Sequence, residues 1–389
     1  MKSPKIRFKE FQNEWNSRIL GEVGEIVAGG DIDKNKILSK GIYPVYANAL
    51  TNDGIVGYYN DYFRISAPAV TITGRGEVGY AQARFKNFTP VVRLLSLKTN
   101  NNVSFIACSI NRKKIAVEST SVPQLTKPTL SNIKIRIPSD IKEQEAIGEF
   151  FRKMDGILDL ENSRFKKLEN FKKTMLDKLF VKDGADEPQI RLGSFKGEWN
   201  SRILGDIGGT YCGLSGKNKD DFGHGNAKFV PYINIFQNSI VNLAKLEKIE
   251  IDKRQNSVKN GDIFFTTSSE TPQEIAMSSV YLGNEENIYL NSFCFGFRPK
   301  EFLNSYFLAY FFRSHYFRDK VIPLAQGISR YNISKNKMME LKIRIPNDIK
   351  EQEKIGEFFR KIDGILEFSQ KKITKLENIK KYLLNKMFV

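Results

Sequence analysis

The feature that most constrains the fold is a long internal repeat. Residues 133–181 align with residues 341–389 without a gap, and 32 of the 49 positions are identical. A shorter repeat relates residues 4–26 to residues 188–210, and both copies contain Glu-Trp-Asn-Ser-Arg-Ile-Leu-Gly. The chain therefore follows the order short repeat, block, long repeat, and does so twice. Two units are too few for a solenoid, which stacks several repeats.

Each long repeat predicts one long helix. In the first copy, Pro138 and Asp140 mark the helix start, and Glu143 stands where a capping box has its acid. Apolar residues then recur at alternating spacings of four and three, with polar interruptions at Glu161 and Lys172. The resulting seam contains Ile147, Phe151, Met154, Leu158, Phe165 and Leu168 in the first copy, and Ile355, Phe359, Ile362, Leu366, Ile373 and Leu376 in the second.

A seam of this kind needs a partner helix to bury it. Because both copies keep the same register, we expect them to pair with each other as an intramolecular coiled coil of roughly 60 Å. The alternative is an ordinary amphipathic surface helix in each copy.

The first block between the repeats is the most basic part of the chain. The chain carries a formal net charge of +17, of which block 27–132 holds +7 and block 211–340 holds +3. The helical segments 140–181 and 348–389 carry 0 and +3. Lysine and arginine side chains that neutralise phosphates release condensed counterions, so this excess favours a polyanionic partner. We expect the blocks to face nucleic acid and the helices to form a scaffold.

The first block contains a glycine-rich candidate site. Residues 69–73, Ala-Val-Thr-Ile-Thr, predict a strand, and residues 74–79, Gly-Arg-Gly-Glu-Val-Gly, predict a tight turn that presents Arg75. Arginine at such a tip can reach a phosphate or a guanine edge, although an ordinary hairpin turn is the alternative. The candidate DNA contacts in this block are Arg75, Gln82, Arg84, Lys86, Gln124 and Lys127.

The second block contains more polar loops. Residues 229–235 predict a strand, and residues 261–270 predict a strand that runs into a hydroxyl-rich loop. Residues 326–334, Gln-Gly-Ile-Ser-Arg-Tyr-Asn-Ile-Ser, bring together groups that bind base edges and phosphates. Residues 122–127 are their positional counterpart in the first block. The candidate DNA contacts here are Lys217, Asn234, Gln237, Ser268, Ser269, Gln326, Ser329, Arg330, Tyr331 and Asn332.

Sequence signatures of catalysis are missing. The chain has no Walker A loop, no Asn/Asp-Pro-Pro-aromatic motif and no metal-ligand spacing, so we predict no catalytic residue and no metal site. The three cysteines are scattered and only two histidines are present, which favours a reducing cytoplasm over a disulfide or zinc framework. Because no apolar run could span a bilayer and the first residues have no signal-peptide core, we expect a cytoplasmic protein without a membrane partner.

The layout resembles the specificity (S) subunit of type I restriction–modification enzymes. The motifs that carry the resemblance are Trp-Asn-Ser-Arg-Ile-Leu-Gly before each block and Ile-Arg-Ile-Pro-x-Asp-Ile-Lys-Glu-Gln-Glu-x-Ile-Gly after it. Residues 327–334 also look like the loop that ends a target-recognition domain of this family, whereas residues 122–127 depart from that pattern. The resemblance extends over essentially the whole chain.

The resemblance implies an α+β fold. It consists of two globular α/β target-recognition domains separated by two long antiparallel helices that are conserved in the family, with a pseudo-twofold internal repeat. The corresponding division is residues 1–138 for the N-terminal segment and first target-recognition domain, 139–187 for the central helix, 188–346 for the short repeat and second domain, and 347–389 for the C-terminal helix.

The resemblance also implies a function and partners. Each domain would read one half of a bipartite, asymmetric site in double-stranded DNA, and the helices would set the unread spacer. Two methyltransferase (M) subunits and, through them, restriction (R) subunits would dock on the chain. S-adenosylmethionine, ATP and Mg²⁺ would belong to those subunits, so no cofactor is expected here. From the residues alone, a coiled-coil scaffold that grips nucleic acid without reading sequence and a nuclease acting alone stay open.

Overall fold

The computed structural model describes residues 3–113, 115 and 123–389. The chain divides into two compact units. Unit 1 consists of Met1–Ser163 and Gln370–Val389, and unit 2 consists of Arg164–Ser369. Each unit therefore contains part of each long helix. The four-part division predicted from the sequence follows the repeats and stays a prediction.

The elements from the first short repeat to the first long helix alternate short strands with short helices. They are β1 Asn16–Ile19, α1 Leu20–Val23, β2 Glu25–Ala28, β3 Tyr43–Tyr46, β4 Ile55–Tyr59, β5 Ala69–Thr73, β6 Ala81–Arg84, β7 Thr89–Pro90, β8 Leu94–Lys98, α2 Val103–Asn111, α3 Lys127–Ser131, β9 Lys134–Ile137 and α4 Ile141–Lys178. Short 3₁₀ turns occur at Lys34–Lys36 and Thr51–Gly54.

The second half of the chain repeats this alternation. Its elements are β10 Asn200–Ile203, α5 Leu204–Ile207, β11 Gly208–Cys212, β12 Phe222–Val230, α6 Tyr232–Gln237, β13 Glu247–Ile249, β14 Ile263–Thr266, β15 Ser268–Ser269, β16 Ser278–Val280, β17 Ile288–Leu290, β18 Cys294–Pro299, α7 Ser305–Phe311, α8 His315–Val321, β19 Tyr331–Asn332, α9 Lys335–Met339, β20 Lys342–Ile345 and α10 Ile349–Met387. Its 3₁₀ turns are Lys219–Asp221, Leu243–Lys245, Pro272–Glu274 and Ile322–Leu324.

Both units are built on the same sheets, although their blocks share no obvious sequence similarity. The central antiparallel sheet has the order β2-β8-β5-β6 in unit 1 and β11-β18-β14-β16 in unit 2. A three-stranded sheet accompanies each one, β4-β3-β7 in unit 1 and β13-β12-β17 in unit 2. The predicted strand at residues 69–73 is confirmed as β5. The predicted strand at residues 229–235 is wrong beyond Val230, because Pro231 begins helix α6.

The short and long repeats occur together because they pair with each other. Strand β1 lies antiparallel to β9 with Asn16 opposite Ile137, and β10 lies antiparallel to β20 with Asn200 opposite Ile345. Asn-Ser-Arg-Ile thus faces Lys-Ile-Arg-Ile in both units. The repeats form a common frame, and the blocks are inserted into it.

The Glu-Gln pair at the start of each long helix ties this frame together. In unit 1 the buried Glu143 carboxylate accepts hydrogen bonds from Arg7 Nε at 2.6 Å and from Trp15 Nε1 at 3.3 Å. This bond with Glu143 raises the pKa of the Arg7 guanidinium. The capping-box prediction for Glu143 is therefore wrong, since its carboxylate is used here, while Asp140 Oδ1 caps the helix by accepting from Lys142 N at 2.9 Å.

The adjacent glutamine fastens the helix to the block. Gln144 Oε1 accepts from Asn102 N at 3.3 Å, and the Asn102 side chain in turn caps helix α2. Unit 2 repeats the arrangement, because Gln352 Oε1 accepts from Asn304 N at 3.0 Å. There, burial raises the pKa of Glu351, whose carboxylate accepts from Trp199 Nε1 at 3.4 Å. The Ile-Lys-Glu-Gln-Glu motif therefore serves tertiary packing as well as helix initiation.

Within each unit the two helix segments run antiparallel. In unit 1 Asp155 forms an ion pair with Lys380, and the later Glu161 pairs with the earlier Lys372 at 2.8 Å. In unit 2 Lys172 pairs with Asp363 at 2.5 Å. Glu161 and Lys172, the polar interruptions of the first seam, are thus ion-pairing positions. All twelve predicted seam residues are buried or partly buried: Ile147, Phe151, Met154, Leu158, Ile373 and Leu376 in unit 1, and Phe165, Leu168, Ile355, Phe359, Ile362 and Leu366 in unit 2.

Candidate nucleic-acid interface

A short two-stranded pairing extends the end of β14 in unit 2. After β14, the chain turns through Thr267 into β15, which pairs with β19 so that Ser268 faces Asn332 and Ser269 faces Tyr331. Ile333 N donates to Thr267 O at 3.0 Å and continues the pairing. The hydroxyl-rich loop and the polar loop predicted from the sequence are therefore neighbouring strands of one structure.

Residues 326–332, which include β19, form a closed loop, the unit 2 hairpin. Gln326 N donates to Asn332 O at 2.9 Å, and Asn332 N donates to Gln326 O at 2.8 Å. Between them Gly327 has a φ of +136°, and a Cβ there would lie 2.0 Å from Arg330 O. Only glycine therefore fits at this position, and the turn presents Ile328, Ser329 and Arg330 to solvent.

Unit 1 places Arg75 and Gln124 at the equivalent point. These two residues form an antiparallel bridge at the end of β5, and Leu125 N donates to Gly74 O at 2.9 Å. Thr126 then caps α3, as Ser334 caps α9 in unit 2. The positional correspondence of residues 122–127 with the unit 2 loop thus appears in the structure, although Val122 lies outside the described residues.

The equivalent residue pairs of the two units carry different side chains. Arg75–Gln124 in unit 1 corresponds to Ser268–Asn332 in unit 2. The turn after Arg75 is fixed by Thr73, whose backbone oxygen accepts from Gly79 N at 2.8 Å. The shared frame therefore exposes Arg75 and Gln124 in unit 1 and Asn332 in unit 2, where Ser268 is buried.

Arg84 is buried and is fully used inside unit 1. Its guanidinium donates to Thr71 Oγ1 at 3.0 Å, to Asp53 Oδ2 at 2.7 Å and to Gln82 Oε1 at 2.8 Å, and it stacks 3.7 Å from the ring centroid of Tyr46. Burial raises the pKa of that tyrosine. We therefore assign Arg84 a role in holding the sheet rather than a direct DNA contact, and Gln82 is partly buried in the same network.

Four candidates of unit 2 are likewise occupied within the fold. Asn234 is buried and donates to Asn242 O at 2.9 Å. Ser268 and Ser269 are buried, and Ser269 Oγ donates to Thr271 O at 2.6 Å. Lys217 pairs with Asp252 at 3.0 Å. Arg254 and Lys217 together hold the pKa of the Asp252 carboxyl well below its usual range. These four side chains are buried or bonded within unit 2, which corrects the prediction that they contact DNA directly.

The remaining candidates lie at or near the surface. They are Arg75, Lys86, Gln124 and Lys127 in unit 1, and Gln237, Gln326, Ser329, Arg330, Asn332 and the partly buried Tyr331 in unit 2. Their contact with DNA stays a prediction. Among residues 3–113, 115 and 123–389, no three His, Cys, Asp or Glu side chains lie together in a group that could hold a metal ion. No helix in the same described part of the chain is long and apolar enough to cross a membrane.

The family model for the type I restriction modification DNA specificity domain matches the chain twice, at residues 12–170 and 196–378. The chain belongs to this family. Each match runs from a strand of a short repeat through one block and into a long helix. A mixed helix-and-sheet specificity-subunit fold therefore underlies both surfaces.

Individual relatives agree with this assignment. The MjaVIII specificity subunit of a type I restriction enzyme from Methanocaldococcus jannaschii is 24% identical over 284 residues, which cover 70% of this chain and 65% of that protein. The S subunit of a type I restriction-modification system from M. genitalium has a similar fold, with a TM-score of 0.65, 16% identity, and coverage of 100% of this chain and 99% of that one.

A second solved structure comes from work on complex assembly and conformational transition of the type I restriction-modification system. It matches with a TM-score of 0.55 and 16% identity, over 96% of this chain and 97% of that one. At these identities the structural matches establish the fold of this family member. The match covers less than two thirds of the length of the MjaVIII specificity subunit.

Sequence reasoning missed two exposed apolar residues beside the unit 2 hairpin. Ile328 lies at its tip and is 95% exposed. Phe293 is also exposed, and its carbonyl accepts from Thr267 Oγ1 at 2.8 Å. The search for hydrogen-bonding side chains passed over both. The signal for Ile328 was a bulky residue directly after a glycine in a polar loop.

Proposed function

We propose that this chain is the DNA-recognition subunit of a type I restriction–modification enzyme and reads a bipartite, asymmetric site in double-stranded DNA. The observation that carries the proposal is that two equal frames present unequal surfaces. Equal frames suit two equivalent partners, and unequal surfaces suit two different half-sites. The chain itself contributes binding, and the chemistry belongs to partner subunits that hold S-adenosylmethionine, ATP and Mg²⁺.

The charge distribution supports a duplex as the ligand. Block 27–132, which carries the Arg75–Gln124 bridge, has a net charge of +7. Exposed lysines and arginines bind phosphates and fix the register, while residues at a hairpin tip reach base edges in a major groove. We assign the unit 1 surface to one half-site and the unit 2 hairpin to the other.

The long helices provide a surface for docking. Besides the buried seam they carry a second apolar face at repeated positions: Ile157, Leu160, Ile379 and Tyr382 in unit 1, and Phe171, Ile365 and Phe368 in unit 2, all exposed. Ile157 corresponds to Ile365, and Leu160 to Phe368, in the aligned repeats. Residues three apart lie on the same side of a helix. We propose that each unit docks one methyltransferase subunit on this face, and that restriction subunits bind through these.

Two single variants test the docking. Leu160→Ser removes apolar contact in unit 1, and Phe368→Ser does so in unit 2. Native mass spectrometry of the complex should show one methyltransferase subunit lost with either variant and both lost with the double variant. Phe302→Ser, an exposed phenylalanine outside the helices, is the control and should keep both. Full occupancy in the double variant would contradict docking on this face.

Methylome sequencing tests recognition itself. The chain is expressed with its partner subunits in a host that lacks them, and modified adenines should appear in one motif with two specific halves and an unread spacer. Exchanging residues 27–132 for the first block of another family member should change one half only. Lengthening both helices by seven residues near Glu161 and Lys372 should lengthen the spacer. Modification without a preferred motif would favour a scaffold that grips nucleic acid without reading sequence.

A further inference from the structure

One apolar side chain on the unit 2 surface is almost fully exposed. Ile328 is 95% exposed at the tip of the closed hairpin, between Gly327 and Ser329. A bulky aliphatic side chain at a solvent-facing tip contributes nothing to the core. Its neighbours Ser329 and Arg330 are also exposed, so it lies within a hydrogen-bonding surface rather than an apolar patch.

The unit 2 hairpin is a short exposed loop closed by its own backbone. Its end residues, Gln326 and Asn332, form an antiparallel bridge with two backbone hydrogen bonds of 2.9 and 2.8 Å. The major groove of B-DNA admits a two-stranded ribbon, so this smaller loop fits there as well. The two backbone bonds between Gln326 and Asn332 tie the ends of the loop together before it binds, which reduces the conformational entropy lost on binding.

Within the major groove, one base presents an apolar group. Thymine carries a C5-methyl group, which apolar side chains contact, whereas the other bases present hydrogen-bond donors and acceptors there. Resting on the proposed DNA-reading function, we propose that Ile328 contacts the methyl group of one thymine in the half-site read by unit 2. Ser329 and Arg330 then bind the adjacent base edges or phosphates. Ile328 is thus a specificity-determining residue of unit 2.

The test removes the two contacting groups separately and together. The reconstituted complex is assayed on duplexes in which each thymine of the unit 2 half-site, on either strand, is replaced singly by deoxyuridine, which lacks only the methyl group. At one position the wild-type complex should lose about fourfold in affinity, the amount expected for one buried carbon group. Ile328→Ala should lose at least as much on the thymine duplex and should be insensitive to deoxyuridine at that position.

A matched control and contrary results complete the design. Ile251→Ala, which truncates an exposed isoleucine elsewhere in unit 2, should keep the wild-type response to deoxyuridine. Equal deoxyuridine sensitivity in wild type and Ile328→Ala, or a half-site without any A·T pair, would overturn the inference while leaving the proposed function intact. Loss of a methyltransferase subunit on Ile328→Ala would overturn it in favour of a protein contact. Absence of any preferred half-site would overturn both.

Discussion

Phe388 packs edge-on against Trp15, with ring centroids 6.0 Å apart. The same ring stacks on Phe105 at 5.1 Å, so the end of the second long helix completes the core that holds the first short repeat. In unit 2 the aligned residue Phe180 takes the same place against Trp199, at 6.3 Å. Each helix therefore begins in the frame of its own repeat and ends in the core of the other unit.

Phe388→Ala should selectively destabilise unit 1. Removing a buried phenylalanine costs about 3–5 kcal/mol of unfolding free energy. Hydrogen exchange resolved by segment should show faster exchange in β1 and α2 while the strands of unit 2 stay protected, and Phe180→Ala should show the reverse. Phe302→Ala, at an exposed position, should change neither unit. Uniform loss of protection in both units would contradict independent cores.

Gly356→Ala should lower stability although alanine is the better helix former. An added Cβ would lie 2.6 Å from Phe307 N and 2.8 Å from Tyr306 Cβ, so helix α7 must move, at a cost of about 1–3 kcal/mol. Gly364→Ala on the same helix has nothing within 4 Å and should stabilise by up to about 1 kcal/mol. Urea unfolding of the two variants measures the difference, and equal shifts would show that the close approach costs nothing.

Reversing the charge of Asp155 should destabilise the fold, and reversing the charge of its partner Lys380 as well should restore the stability. Asp155→Lys places two cations opposite each other, and adding Lys380→Asp restores attraction. Because both side chains are partly exposed, we expect a coupling of about 0.2–1 kcal/mol in a double-mutant cycle on thermal unfolding. The exposed Glu357–Lys361 pair within one helix provides the comparison. Additive effects of the two reversals would show that the pair does not contribute to the antiparallel register.

Glu143→Gln should destabilise unit 1 far more than Glu145→Gln. The Glu143 carboxylate is buried between Arg7 and Trp15, and losing its charge leaves the arginine without its ion partner, at a cost of about 3 kcal/mol. Glu145, two residues further along the helix, is exposed, so its substitution should be nearly neutral. Melting temperatures of the two variants decide this, and equal values would mean that Arg7 finds another acceptor.

Arg75→Ala and Arg330→Ala should weaken recognition of different half-sites. Arg75 is exposed at the bridge to Gln124 in unit 1 and Arg330 is exposed at the hairpin of unit 2. Each loss should cost about 1–3 kcal/mol if the arginine reads a base and should relax that half of the motif only. Arg84→Ala should instead lower the melting temperature of unit 1, because its guanidinium supports the sheet. Competition binding with half-site mutants separates these cases. Equal loss on all sequences would assign the two exposed arginines to phosphates.

Some features of the site were accessible from the sequence and others were not. Arg75 and Gln124 were both chosen from the sequence as polar loop residues, and the structure brings them together across a bridge. Arg84 and Asn234 were also chosen as hydrogen-bonding side chains and are buried, because burial depends on strands that are remote in the chain. Ile328 was missed, since an isoleucine in a sequence is normally assigned to a core.

What the sequence determined by itself is the plan: two copies of one frame, two long helices and a seam on each. These follow from the repeat and from the apolar periodicity, both of which can be read directly from the sequence. Only the tertiary structure decided the order of the central sheets, the burial of Glu143 and the insertion of Phe388 beside Trp15. Those depend on contacts between residues far apart in the chain, and such contacts leave no periodic trace in the sequence around either partner.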